Sequence, residues 1–183
     1  MSDLLRGITR AGHADFKNPQ PHAAPGFRNR VRLQVVGPDG KVKKTTPWVE
    51  NIMCTFGLAS LASMVGSGAG VNASTLISAC KIGTGNTGAT SNDTSLANST
   101  GSVVITAASM TKTNLGNRTV EYQHTFASNN PAGAAQIQEV GLFCNSTADS
   151  QLAARTVLTG ANSVNKGASD VINLSYQIIF TTG

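Results

Sequence analysis

The sequence predicts a mainly β protein: an antiparallel β-sandwich or jelly-roll-like domain with one short helix and an extended N-terminal arm. Three observations carry this expectation. Several short segments alternate apolar and polar residues, the period of a half-buried strand. Turn-forming clusters such as "GPDG", "TNLGN" and "NNPAG" separate them at intervals of about ten to fifteen residues, as in all-β domains. One segment alone, "NIMCTFGLASLASMVGSGAG", has the apolar distribution of a helix.

At 183 residues the chain accommodates one domain with a real core. Charged residues make up 13% and aromatic residues 5%, so charged acids and bases suited to catalysis are scarce. The net charge of +5 is unevenly placed. Residues 1–50 hold nine basic against four acidic side chains, whereas the remainder balances five against five.

Residues 1–29 read as an arm and residues 30–183 as the β-domain. In "FKNPQPHAAPGFRNR", Pro19, Pro21 and Pro25 block helix and favour extended backbone. Leu4, Leu5, Ile8, Phe16 and Phe27 are more apolar anchors than a solvated tail needs, and Arg6, Arg10, Arg28 and Arg30 accompany them. The arm is therefore expected to order on a partner, and these nine residues are the candidate partner-binding set.

The domain opens with Val31, Leu33 and Val35 alternating with Arg30, Arg32 and Gln34, followed by Gly37-Pro38-Asp39-Gly40. Pro at the second and Gly at the fourth turn position predict a type I turn and hence a hairpin. A helix is expected near 51–66: Asn51 is the candidate cap, Ile52, Phe56, Leu58, Leu61, Met64 and Val65 supply apolar surface, and Gly66-Ser67-Gly68 ends it. Strands are then expected in "TLISACKIG", "GSVVITAASMTK", "RTVEYQHTFAS", "AQIQEVGLFCN", "QLAARTVL" and "DVINLSYQIIFTTG". In the last, Ile172, Leu174 and Tyr176 alternate with Val171, Asn173 and Ser175.

The segment Gly83-Thr84-Gly85-Asn86-Thr87-Gly88 fits G-x-G-x-x-G after a strand. A dinucleotide site also needs a helix opened by the loop and an acidic residue about 20 positions on. Here the following "ATSNDTSLANSTGS" has no apolar stripe, and the next acid after Asp93 is Glu121. The expectation is a polar loop between strands, with no cofactor. Cys54, Cys80 and Cys144 lack metal-site or redox spacing and read as buried free thiols. His13, His22 and His124 are dispersed, and G-x-S-x-G is absent. Asp93, Glu121, Glu139, Asp149 and Asp170 stand singly. No catalytic or metal-ligating residue is nominated, and the protein is expected not to be an enzyme.

No run approaches the roughly 18 apolar residues of a membrane span, and "MSDLLRGITRAGHADF" has no apolar core of signal-peptide length. The sequence is thus expected to remain in the cytosol unless it leaves inside a larger assembly. The sequons at Asn72, Asn92, Asn98, Asn117, Asn145 and Asn173 then have no glycosylation to predict. Arg28, Arg30, Arg32, Lys43 and Lys44 could face phosphates, but the arm is neither a dense basic run nor interleaved with aromatics. An acidic protein surface is the expected partner, without direct nucleic acid or membrane binding.

From about Arg30 onward the chain resembles a family of tailed-bacteriophage virion proteins. The resemblance lies in the order of "VRLQVVGPDGKVK", "VENIMCTFGLASLASMV", "ISACKIGTGNTGATSNDTSLANS", "IQEVGLFCNSTADSQLAARTVL" and "VNKGASDVINLSYQIIF". It implies that Gly83 to Leu96 is a loop following a strand, and that Gln138 to Phe143 and Val164 to Phe180 contribute strands of a small β-domain. It also implies a structural role in the virion, assembled in the host cytoplasm. Within that family the long arm and the lack of a coiled-coil or repetitive shaft favour a capsid decoration or cement protein. Such a protein would clasp the major capsid protein, as a homotrimer. The alternatives are a tail adaptor, tail-fibre or baseplate protein, or a module recognising host-surface carbohydrate.

Overall fold

Strand β1 (Gly26–Val36) follows the period-2 rule: Val31, Leu33 and Val35 are fully buried, while Arg28 and Arg32 on the opposite face are exposed. The structure, a computed structural model, describes residues 26–66, 77–104, 111–116, 118–144 and 150–181. After β1 the Gly40 N–H donates to the Gly37 carbonyl at 3.0 Å, closing the expected turn. Gly40 has φ 75°, which an L side chain resists. The chain returns as β2 (Val42–Thr45), breaks at Thr46-Pro47-Trp48, and resumes as β3 (Val49–Met53) along the same edge of β1. Pro47 has no N–H for the ladder. Thr46 bridges the gap, its hydroxyl oxygen accepting the Leu33 N–H at 3.0 Å and its own N–H reaching the Leu33 carbonyl.

The helix α1 (Thr55–Gly66) is followed by β4 (Ala79–Gly83), β5 (Ser99–Val104), β6 (Thr111–Asn114), β7 (Thr119–Phe126), β8 (Ala135–Ile137) and β9 (Glu139–Phe143). Then come β10 (Leu152–Val157), a 3-10 turn at Gly160–Asn162, β11 (Val164–Lys166) and β12 (Val171–Thr181). Every pairing among the described residues is antiparallel. One sheet has the order β5-β4-β9-β10-β3-β1-β12-β7-β6, with β2 also on β1; β8 and β11 form a separate pair. Strand β3 joins the two parts of the large sheet, pairing with β1 through Val49 to Asn51 and with β10 through Ile52 and Met53.

That sheet cannot be flat. Eight inter-strand spacings separate β5 from β6 along the order, which is about 38 Å in a flat sheet. Yet β5 and β6 are consecutive in the chain, and the seven residue steps from Val104 to Thr111 span at most about 25 Å. One hydrophobic cluster accordingly draws on both parts: Val31, Leu33, Phe126, Leu174 and Tyr176 from one, and Cys80, Ile82, Val140, Leu142 and Ala154 from the other. A smaller cluster of Cys54, Ala79, Leu96, Phe143 and Leu152 lies on the opposite face of the β4-β9-β10 part.

The structure revises the sequence reading at four points. The helix begins at Thr55, not near 51, and Asn51 is no cap; it lies in β3, its side-chain oxygen accepting the Ile52 N–H. Ile52 and Met53 instead pair with Arg155 and Ala154, so strand partners override the local helical pattern. The apolar helix surface is also incomplete, since Leu58 is 44% exposed and the contact side rests on Gly57 and Ser60. Finally, β1 starts at Gly26, so Phe27, Arg28 and Asn29 of the expected arm are paired strand residues. The segment "AQIQEVGLFCN" divides at Gln138 into β8 and β9.

Candidate partner-binding face

The glycine-rich loop is built around a charge of its own chain. Between β4 and β5, residues 84–98 fold over Glu139, the first residue of β9, whose side chain is fully buried. Its carboxylate accepts the backbone N–H groups of Gly85 (3.1 Å), Ala97 (2.9 Å) and Asn98 (2.6 Å). The opening motif thus supplies N–H donors to an anion, but the anion is Glu139. Arg155 of β10 completes the arrangement, donating from Nε and Nη2 to Glu139 Oε2 at 3.1 and 2.9 Å. The same guanidinium donates from Nη1 to Asp93 Oδ2 at 2.6 Å and from Nη2 to the Thr87 carbonyl at 3.0 Å.

These partners decide the protonation states. Burial alone would lower the Arg155 pKa, but Asp93 and Glu139 outweigh it and raise it. Burial alone would raise the Asp93 carboxyl; the Thr90 N–H and hydroxyl together with Arg155 hold it below the ordinary carboxylate value. An acid, a base and a glycine loop therefore meet, yet each is committed to the others. Among the described residues no group of three or more His, Cys, Asp or Glu side chains gathers to hold a metal.

The outward face of β1, β12 and β7 is organised differently. Register places Arg30 beside Gln177 and Gln177 beside Glu121, and the side chains follow the register. Arg30 Nε donates to Gln177 Oε1 at 2.7 Å, and Gln177 Nε2 donates to Glu121 Oε2 at 3.2 Å. Gln123 Nε2 also donates to Glu121, at 3.1 Å. A second row runs from the Thr125 hydroxyl to Asn173 Oδ1 at 2.7 Å, and from Asn173 Nδ2 to Gln34 Oε1 at 3.2 Å. Gln34 Nε2 then reaches Thr45 Oγ1 at 3.4 Å. Long polar side chains are thereby held in fixed positions.

At the β3 side of this face stands Trp48, carried there by the break between β2 and β3. The guanidinium carbons of Arg30 and Arg32 lie 4.7 and 4.8 Å from its ring centroid, within cation–π range. Arg28, next along β1, is paired with Glu50 at 2.6 Å, and both side chains are solvent-exposed. Phe27 stacks edge-to-face on Phe180 at 5.0 Å, and both rings remain more than a third exposed. They occupy the core-facing side of β1 and β12, at the end where residues 1–25 join.

Of the expected partner-binding residues, Phe27, Arg28 and Arg30 share this end of β1, while Leu4, Leu5, Arg6, Ile8, Arg10 and Phe16 lie outside the described residues. Sequence reasoning missed Trp48, Gln177 and Glu121, which register brings to Arg30 from distant segments. It also missed the partnership of Glu139, Arg155 and Asp93. The three thiols are free and buried, as expected. No family model, curated protein or solved structure matches the chain.

Proposed function

We propose that the chain is a non-enzymatic structural protein of a tailed-bacteriophage virion, a capsid decoration or cement protein that binds the major capsid protein and stabilises it. Its body is a β-sandwich whose two layers meet at β3; the shared core and the short β5 to β6 connection support that architecture. Residues 1–25 act as the anchoring arm, with Leu4, Leu5, Ile8 and Phe16 filling apolar pockets and Arg6 and Arg10 meeting acidic groups.

The observation that carries the reading is the place where the arm joins. It enters at Gly26, directly beside the exposed Phe27–Phe180 pair and the arginine row of β1. Apolar and basic anchors of the arm thus adjoin like anchors on the body, the phenylalanines on one face of this sheet end and the arginines on the other, so a partner that wraps this end can engage arm and body together. The charged groups that elsewhere resemble catalytic machinery are internal ion pairs, consistent with a structural role.

Purified full-length protein, mixed with empty heads and separately with isolated tails of the cognate phage, tests this. The expected result is saturable binding to heads at a fixed copy number per capsid subunit, by a trimer, and loss of binding on deletion of residues 1–25 with the β-domain still folded. Binding to tails alone would instead assign the chain to the adaptor or fibre class.

A further inference from the structure

We propose that Arg30, Arg32 and Trp48 form a docking site for paired carboxylates on an acidic protein surface. This deepens the function proposed above by naming the face and the partner chemistry, and depends on it only for the identity of the partner.

Three observations lead to the site. First, its charges are unspent. Arg28 is neutralised by Glu50, Lys43 by Asp170, and Arg155 by Glu139 and Asp93. Arg30, by contrast, is bonded to the neutral Gln177 and Arg32 stacks on Trp48; neither has a carboxylate partner among the described residues. Second, the guanidiniums are held in place. Trp48 lies beside both, and Gln177 engages Arg30 through Nε alone, so its two terminal nitrogens keep their donors. Fixing the planar forks in advance removes much of the entropy cost of binding a carboxylate. Third, the spacing is defined. Positions 30 and 32 lie on one face of a strand, about 7 Å apart, a separation matched by acidic side chains at alternate positions of an extended segment.

The surroundings favour a protein over nucleic acid. Two unneutralised cations flanked by Glu50 and Glu121 make too weak a field for a polyphosphate, whose binding grows with the number of phosphates neutralised. A Trp with two Arg, bordered by neutral amides and hydroxyls such as Gln34, Asn173 and Thr125, has the composition of a protein-interface hot spot.

Trp48 is the chain's single tryptophan, so its emission reports on this site directly. The full chain would be titrated with a synthetic peptide of alternating Glu and Ser, its Gln counterpart, a short DNA duplex and a sulfated oligosaccharide. A saturable change with the Glu peptide is expected, absent with the Gln peptide, and weakened about tenfold or more in Arg32→Gln, the scale of a lost charged hydrogen bond. Lys41→Gln, which removes an exposed cation beside Asp39 at the β1–β2 turn, outside the site, should bind as the parent does.

Failure to respond to the Glu peptide at millimolar concentration overturns the proposal, as does equal binding by Arg30→Gln/Arg32→Gln. Tighter binding of the duplex or the oligosaccharide overturns it in favour of a phosphate or sulfate site. If heads bind the double variant as well as the parent, this site falls while the decoration role stands. If the Glu peptide binds and heads do not, the reverse holds.

Discussion

Replacing Arg155 by Met should destabilise the protein more than any exposed charge substitution, because it strands two carboxylates at once. The Arg155 side chain is 3% exposed and makes four hydrogen bonds: two to Glu139, one to Asp93 and one to the Thr87 carbonyl. Without it the fully buried Glu139 carboxyl keeps only its three backbone N–H partners. Breaking a buried ion pair from one side typically costs about 3–5 kcal/mol, a large part of the roughly 5–15 kcal/mol that holds a domain together. In a chain of this size each kcal/mol moves Tm by about 2–4 °C. Urea unfolding of the parent, Arg155→Met, Glu139→Gln and the double variant should therefore show a large loss for Arg155→Met. The double variant should cost less than the sum of the singles, by about 0.5–3 kcal/mol, the range for residues in one network. The same network sets an acid limb. Asp93 is held below its ordinary value in the folded state, so its contribution is present above the unfolded carboxylate pKa of about 4 and is lost as pH falls through the lowered folded value. Removal of Arg155 should flatten that limb. A loss under about 1 kcal/mol for Arg155→Met, or strictly additive costs, would refute the view that this pair organises the loop.

The glycines of the loop should separate by position. A Cβ at Gly85 would lie 2.5 Å from Glu139 Oε1 and 2.6 Å from the Ala97 Cβ, whereas one at Gly88 meets nothing within 4 Å. Gly85→Ala should thus lower stability by about 1–3 kcal/mol, as overpacking does, and Gly88→Ala should lie within about 0.5 kcal/mol of the parent in the same melts. The two tyrosines of the chain are both held protonated by burial, Tyr122 up to about 12 and Tyr176 well above its ordinary value. Ultraviolet titration of the folded protein should show no tyrosinate near pH 10, where a free phenol is half ionised. Burial likewise pushes the Cys54 thiol up to about 11 and raises Cys80 and Cys144, so a thiol reagent at neutral pH should react with them only after denaturant is added.

Much of the β organisation was legible because local rules sufficed. The alternation in β1 and β12 and the GPDG turn depend on residues within a few positions of one another, and the structure keeps all three. The helix start was not legible, since Ile52 and Met53 are apolar at helical spacing and nothing local reveals that β10 will claim them. The candidate site was legible only in part. Arg30 and Arg32 stood out as basic residues on an amphipathic strand and Arg28 as part of the arm, but Trp48 gave no signal of its own. It joins the proposed site because the break at Pro47 between β2 and β3 delivers the indole across two arginines.

The sequence by itself determined the β class, the hairpin, the burial of the three thiols and the displacement of positive charge into the first fifty residues, since composition and short-range periodicity carry that information. Tertiary structure alone decided which charges are spent. Glu139 and Arg155 are 16 residues apart, and Asp93 lies a further 46 residues before Glu139; strand register and loop closure bring them together. Register sets Glu50 opposite Arg30, yet Glu50 pairs with Arg28, so neither Arg30 nor Arg32 has an ion-pair partner among the described residues. Whether a charge is neutralised depends on distance in space, and an antiparallel sheet sets that distance through pairings between segments remote in the chain.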